Sequence, residues 1–144
     1  MIHEGLADFF VYARTGNACL GETICPVRST MCAKVGQCLR SGENVLKFTD
    51  GGLSKTAHLR SQVLSGMMWD IGKKIGLEKT GLIAFTAVDY LLPRSTYVDL
   101  TLGLMKADLE LNKGVNSCLI LEEAKNRALD SSLANVNCND YVAP

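Results

Sequence analysis

Residues 54–76 read SKTAHLRSQVLSGMMWDIGKKIG, and this stretch carries the apolar pattern that decides the fold. Apolar side chains recur at every fourth residue, which is the spacing of one face of an α-helix. They are Leu59, Val63, Met67, Ile71 and Ile75, with Leu64 and Met68 beside them. Ser54 or Thr56 can cap the start of this helix and Gly76 its end. We therefore predict one long helix whose apolar face belongs to the core.

Two more helices are predicted on either side of this stretch. The first runs from about Ile2 to Ala13 and ends before Gly16-Asn17. The other, which is the third helix in chain order, runs from about Glu78 to Leu92 and is apolar nearly all round. We expect that third helix to be the buried central rod, and Pro93 to stop it.

The carboxy-terminal part of the chain carries signals for two further helices. Thr96-Tyr97-Val98-Asp99 resembles a capping box and opens a fourth helix, which Asn112-Lys113-Gly114 ends. Asn116 or Ser117 can cap a fifth helix that continues to about Leu133. The remaining residues, 134–144, are predicted to be irregular.

The segment between the first two helices, 16–52, is loop-like because Gly, Pro, Ser, Thr and Cys dominate it. A loop of this length is unusual in a compact domain unless something pins it, and disulfides would do so. Within it, Met31–Leu39 can form one short helix and Val45–Phe48 one short extended piece. No alternating strand pattern of useful length occurs.

The predicted architecture is therefore a single mainly α domain over residues 1–144. About five helices pack as an orthogonal or bundled arrangement, with a long disulfide-pinned loop after the first helix.

Composition and charge restrict the classes of partner. Of the 144 residues, 47% are apolar and 21% charged, which favours a compact fold over disorder. Lys plus Arg equals Asp plus Glu, 15 each, so nucleic acid and anionic membranes are not indicated as partners. No apolar run approaches the roughly 20 residues of a membrane span, and we expect no signal peptide within the given residues.

Six cysteines in this length favour disulfides, because the number is even and the spacing does not suit a zinc knuckle. We expect the four early ones to pair among themselves; these are Cys19, Cys25, Cys32 and Cys38. We expect Cys118 to pair with Cys138, closing a loop of about 20 residues that stabilises by about 3 kcal/mol. Metal binding by the early cluster is the lesser alternative. Disulfides place the protein in an oxidising compartment: secreted, periplasmic or on the cell surface.

A disulfide-rich chain that opens in mid-helix without an export signal looks like a piece of something longer. We therefore expect these residues to be the carboxy-terminal subdomain of a larger exported protein. The alternative is a cytosolic protein with six inert thiols.

The first helix carries an unusual pair of carboxylates, Glu4 and Asp8. A spacing of four residues stacks them on one face, where like charges weaken a helix slightly. Apolar neighbours suggest that this face is buried, and buried carboxylates need a cation, a metal or donors. The alternative is that acidic residues near a helix start serve the macrodipole and solubility.

Two segments resemble a known enzyme family. His3-Glu4-x-x-x-Asp8-Phe9-Phe10 resembles the glutamate helix of thermolysin-like zinc metallopeptidases (gluzincins), whose pattern is Glu-x-x-x-Asp followed by aromatic or apolar residues. His58-Leu59-Arg60-Ser61 is similar to the family's later histidine segment, a His followed closely by Ser or Gly in one helix. The order of glutamate helix, loop, histidine helix and closing helices also resembles that family's helical carboxy-terminal half.

The resemblance implies a role for each matching residue. Glu4 would be the third protein ligand of a catalytic zinc, and Asp8 would accept a hydrogen bond from a zinc-binding imidazole. Both carboxylates would then find their partners outside this chain. His58 would donate to the oxyanion that develops during peptide hydrolysis. Asp50 is the nearest carboxylate that could orient His58, although it lies farther upstream than the family pattern.

One part of the family pattern is missing. The zinc needs two more ligands and a general base from a His-Glu-x-x-His helix, and the only histidines here are His3 and His58. His3 stands where the family requires no particular group. The resemblance thus implies zinc as cofactor only together with an amino-terminal catalytic half, and a peptide or protein as substrate. The isolated fragment would be inactive.

Two other functions stay open. One is a secreted, disulfide-stapled helical binding module in which the acidic helix is incidental. The other is a degenerate peptidase scaffold that is used for interaction and not for catalysis.

Overall fold

The computed structural model describes residues 1–25, 37–51, 53 and 57–144. These residues form five α-helices and one small two-stranded sheet, so the prediction of a mainly α domain of about five helices is confirmed. The helices are α1 (Ile2–Thr15), α2 (Ala57–Ile75), α3 (Leu77–Ala87), α4 (Tyr97–Asn112) and α5 (Ser117–Asn126). Short 3-10 helices cover Val88–Tyr90, Ser131–Asn135 and Cys138–Tyr141. Among the helices of these described residues, none could span a lipid bilayer.

Helix α2 is the centre of the core. Eleven of its residues are buried: Ser61, Gln62, Val63, Leu64, Ser65, Gly66, Met67, Met68, Trp69, Ile71 and Gly72. The predicted apolar face is thus buried except at its ends, where Leu59 and Ile75 are partly accessible. The predicted caps Ser54 and Thr56 lie outside the described residues. Gly76 ends the helix with φ of 98°, a left-handed conformation that glycine adopts without strain.

The prediction that the third helix is the buried rod is wrong. Helix α3 stops at Ala87, before the expected end at Leu92, and a 3-10 turn follows. Phe85 and Leu92 are 71% and 76% exposed, so this segment lies on the surface although its composition is apolar. Helix α2 can take the central place although it contains small polar residues. The hydroxyls of Ser61 and Ser65 donate hydrogen bonds to backbone carbonyls of α2 itself, so they can be buried.

The capping box at Thr96 is confirmed. The Thr96 side chain accepts a hydrogen bond from the Asp99 amide, and the Asp99 carboxylate accepts one from the Thr96 amide. The hydrogen bonds to Thr96 lower the pKa of Asp99. Lys113 then ends α4 in a left-handed conformation, as the Asn112-Lys113-Gly114 signal predicts.

The fifth helix is shorter than predicted, ending at Asn126 and not near Leu133. Ala128 turns the chain out of the helix with φ of 49°. Arg127, at the end of the helix, is buried and donates hydrogen bonds to Asn44, to the Leu46 carbonyl and to Asp70. Helical spacing contains no information about this tertiary anchor.

The long segment after α1 is held at both ends. A two-residue antiparallel ladder pairs Cys19 with Ser41 and Leu20 with Arg40. This sheet was not predicted, because two residues are too few for an alternating pattern. The expected extended piece at Val45–Phe48 is an irregular segment that runs into a turn. Most of the predicted helix at Met31–Leu39 lies outside the described residues.

Disulfides reinforce this arrangement. Cys19 is bonded to Cys38, which agrees with pairing among the early cysteines. Cys118 is bonded to Cys138, as predicted, and this bond ties the tail to α5. Cys25 is also disulfide-bonded, whereas Cys32 lies outside the described residues. The disulfides confirm a stapled helical fold, and they are compatible with an extracellular location.

Replacing Arg127 tests the anchor that shortens α5. Arg127→Met removes the guanidinium donor from Oδ2 of Asp70 and from three oxygens of Asn44 and Leu46, while Lys73 still pairs with Oδ1 of Asp70. Because buried acceptors lose a charged donor, we expect the free energy of unfolding to fall by about 1–3 kcal/mol in urea titrations. Arg94→Met, at an exposed turn position, is the matched control and should change it by less than about 0.5 kcal/mol. A loss below about 1 kcal/mol for Arg127→Met would contradict the anchor.

Candidate functional site

Glu4 and His58 meet at the surface where α1 crosses the start of α2. The Nδ1 atom of His58 lies 3.0 Å from Oε2 of Glu4. The side chain of His58 is 63% exposed and that of Glu4 is 43% exposed, so the pair is open to solvent. Two residues from separate helices, far apart in the sequence, are thus brought within direct contact.

Gly5 permits this contact because it lets the two helices approach closely. A Cβ atom at position 5 would lie 2.8–2.9 Å from the Leu64 side chain and 2.9 Å from the carbonyl oxygen of Ser61. Any side chain there would push α1 away from α2. Glu4 precedes this crossing point, and His58 lies one turn before Ser61. The close approach therefore positions the carboxylate against the imidazole.

Asp8, one turn after Glu4, is buried and has a partner within the chain. Arg40 donates from Nε to Oδ2 at 2.6 Å and from Nη2 to Oδ1 at 2.8 Å. The expectation that both carboxylates find their partners outside this chain is therefore wrong for Asp8. This bidentate pair raises the pKa of the Arg40 guanidinium above its ordinary value, chiefly through the hydrogen bond to Asp8. Each carboxylate oxygen still has a second lone pair for another donor.

Arg40 is the residue that sequence reasoning missed. It lies on the short second strand, whose register against Leu20 is fixed by the ladder and by the neighbouring Cys19–Cys38 bond. The amide of the next residue, Ser41, donates to the Gln62 side chain on α2 at 3.1 Å. The loop thus delivers a guanidinium to α1 from 32 residues away, and no local pattern signals such a contact.

The structure does not bring Asp50 to the imidazole of His58. Oδ2 of Asp50 accepts a hydrogen bond from the Lys47 amide at 2.7 Å and closes an exposed turn. Glu4 is the carboxylate beside Nδ1 of His58. Asp50 as the orienting residue stays a prediction, which would require a rearrangement of this turn.

His3 is exposed, and the ion pair at Glu4 is made by His58. With Met1, Ile2, residues 91–93 and residues 95–97, His3 lines a pocket of about 220 Å³. This placement is consistent with its interpretation as an exposed residue without an assigned role.

The donor set fits zinc only in part. Glu4 presents an accessible carboxylate, which suits a zinc ligand. Within residues 1–25, 37–51, 53 and 57–144, however, no group of three or more His, Cys, Asp or Glu side chains is placed to hold a metal ion. A catalytic zinc site would therefore need further ligands from outside the described residues.

Comparisons with known proteins do not assign the chain to a family. No protein-family model matches it, and neither a curated protein nor a solved structure does so.

A double-mutant cycle tests the Asp8–Arg40 pair. Arg40→Leu leaves a buried carboxylate without its cation, so we expect the free energy of unfolding to fall by about 3–5 kcal/mol. Asp8→Asn in the same chain removes the unpaired charge and should recover part of that loss. Lys73→Leu is the control, because the Lys73–Asp70 pair is more exposed and should contribute less than about 1 kcal/mol. If Arg40→Leu and Lys73→Leu lowered the free energy of unfolding equally, the structural role of the Asp8–Arg40 pair would be contradicted.

Tyr12 provides a pH test of the same region. Burial, and after it the charge of Asp8, raises the pKa of Tyr12 from 10.0 to about 12. The folded state thus holds the phenolic proton more tightly than the unfolded state. The contribution of this proton to the free energy of unfolding is present in full below pH 10 and is lost as the pH rises from 10 to 12. We expect Tyr12→Phe to reduce the alkaline loss of stability by up to about 3 kcal/mol. Identical pH profiles of the two proteins would contradict this.

Proposed function

We propose that this chain is the helical carboxy-terminal half of a secreted zinc-dependent metallopeptidase. It would act together with an amino-terminal catalytic half that supplies two histidine ligands and a general base. The observation that supports this proposal best is the contact between Glu4 and His58, 3.0 Å apart and open to solvent. These are the two residues to which the family resemblance gives roles at the reacting centre.

The contrast between the two carboxylates of α1 supports different roles for them. Asp8 is buried and neutralised by Arg40, which suits a residue that positions other groups. Glu4 is accessible and pairs with the exposed imidazole of His58, which suits a ligand. Helical spacing places both on one face, so a metal at Glu4 would lie near the Asp8 carboxylate.

Each residue of the chain would contribute a defined part of the chemistry. Bound zinc would lower the pKa of its water and polarise the peptide carbonyl. Glu4 gives an oxygen ligand and one negative charge. Because Nδ1 of His58 faces Glu4, Nε2 is the ring nitrogen that can donate to the developing oxyanion. Asp8 accepts a hydrogen bond from a ligand imidazole and fixes its orientation.

Disulfides support the proposed location outside the cytosol, either secreted, periplasmic or on the cell surface. The substrate class would be a peptide or protein. The balanced charge of the chain gives no support for nucleic acid as a partner.

A second candidate is a disulfide-stapled binding module. Exposed apolar side chains on and after α3 favour it, since such residues often mark contact surfaces; they are Leu82, Phe85 and Leu92. In that case the contact between Glu4 and His58 would be incidental. Glu4→Gln and His58→Ala would then leave biological activity unchanged.

The metallopeptidase proposal is tested on the complete natural polypeptide that contains these residues. We expect about one bound zinc per molecule by elemental analysis, with hydrolysis of a fluorogenic peptide. Glu4→Gln should remove both zinc and activity. His58→Phe should keep zinc and lower kcat by about 10²–10³-fold, because it removes one donor to the oxyanion.

Controls separate these effects from damage to the fold. Glu43→Gln, an exposed carboxylate elsewhere, should change neither zinc content nor kcat. Residues 1–144 alone should hydrolyse no peptide. A complete protein that holds no zinc, or a Glu4→Gln variant that retains zinc and full activity, would refute the proposal.

A further inference from the structure

We propose that the exposed apolar side of α3 binds the same surface of a second copy of this chain. The surface consists of Leu82, Phe85, Val88 and Leu92, and is called the α3 face below. The two α3 helices would lie antiparallel across a two-fold axis near Phe85. This dimer is independent of peptide hydrolysis, since it requires neither zinc nor an amino-terminal half.

The α3 face gathers exposed apolar side chains in one short segment. Its four members are 45–76% exposed. Leu82, Phe85 and Val88 follow one another at a spacing of three residues, which makes them neighbours on one side of a helix. The other large apolar side chains that the described residues expose are spread along the chain. Single exposed apolar residues are ordinary, whereas a contiguous group indicates a contact surface.

The opposite side of α3 holds this face rigidly in place. Ile83, Ala84 and Ala87 are buried there and belong to the main core. A face on a packed helix is already ordered before a partner arrives, so binding costs little backbone entropy.

Charges of both signs lie at each end of the α3 face. Glu78 and Lys79 lie at its amino-terminal end, and Asp89 and Arg94 at its carboxy-terminal end; all four are exposed. None of them forms an ion pair with another described residue. Each end is therefore neutral overall, which does not favour a partner of one sign, such as nucleic acid or an anionic lipid surface.

The positions of these charges suit pairing of the face with itself. A two-fold axis brings one residue against a second residue of the other copy, and the second against the first. Lys79 and Asp89 lie on opposite sides of Phe85, six and four residues away. Antiparallel helices therefore place each Lys79 near Asp89 of the other copy, with an offset of about 3 Å along the axis. Glu78 likewise lies opposite the segment that carries Arg94.

The charge of the whole chain also permits self-association. Lys plus Arg and Asp plus Glu are 15 each, so two copies do not repel one another at long range. A surface made of one helix and the turn after it gives a small interface. We therefore expect a weak, reversible dimer with a dissociation constant in the micromolar range.

The first test is sedimentation equilibrium of the 144-residue chain over a series of concentrations. We expect a reversible monomer–dimer equilibrium. Phe85→Glu places two like charges beside the axis and should raise the dissociation constant at least about tenfold. Val45→Glu, at a side chain that is 89% exposed in the segment before α2, is the matched control and should change it by less than about twofold. Circular dichroism of both variants should be unchanged, since both positions are exposed.

A charge exchange tests the antiparallel pairing itself. Lys79→Glu alone and Asp89→Lys alone each place like charges opposite one another, and each should weaken the dimer by about threefold to tenfold at low salt. The double variant restores opposite signs across the axis. Its dissociation constant should return to within about twofold of that of the natural chain.

Three results would overturn the proposal. One is a chain that stays monomeric at every concentration, as it would if a different protein covered this face. Another is a dimer that Phe85→Glu leaves unchanged, because it would then form through another surface. The third is a double charge variant that dimerises no better than the single ones. These results are distinct from those of the zinc and peptide assays, since no variant here alters Glu4 or His58.

Discussion

The close approach of α1 and α2 at Gly5 is the constraint on which the candidate site depends. Without a side chain at that position, the backbone of α1 rests directly on Leu64 and the Ser61 carbonyl. The crossing buries Leu6 and Phe9 in the same core as Val63 and Leu64, and apolar burial of this kind stabilises at roughly 25 cal/mol per Å². The surface contact of Glu4 with His58 is a consequence of that packing.

The second constraint is electrostatic and distinguishes the two carboxylates of α1. Burial of Asp8 is tolerated because Arg40 supplies two charge-assisted hydrogen bonds. That guanidinium lies on a short strand that the ladder and the Cys19–Cys38 bond hold in place. The early disulfide therefore acts on the site as well as on stability. Because Arg40 pairs with Asp8, Glu4 is the accessible carboxylate on this face of α1.

Local patterns in the sequence predicted much of the helical fold. The four-residue repeat predicted α2, and capping chemistry predicted the start of α4 at Thr96. They failed where tertiary contacts decide the outcome. Apolar composition suggested a buried third helix, yet Phe85 is exposed because α2 already fills the centre. The end of α5 depends on Arg127 reaching residues on two distant segments, which no local window contains.

The candidate site could be predicted only in part for the same reason. Spacing placed Glu4 and Asp8 on one helix face, and resemblance singled out His58, but nothing in the sequence pointed to Arg40. The family resemblance implied roles for Glu4 and His58 at one reacting centre, but it gave no distance between them. Asp50 was chosen by proximity in sequence, and the chain instead turns it towards the Lys47 amide. Long-range pairs formed through a loop carry no periodic signal.

The central claim is that the carboxylate of Glu4 is a metal ligand at the crossing of α1 and α2. Anomalous diffraction at the zinc edge, on crystals of the complete natural protein, tests it most directly. The account predicts one strong peak about 2.0–2.2 Å from an oxygen of Glu4, with His58 beside it. A fully occupied zinc elsewhere in the protein, with no peak at Glu4, would contradict it.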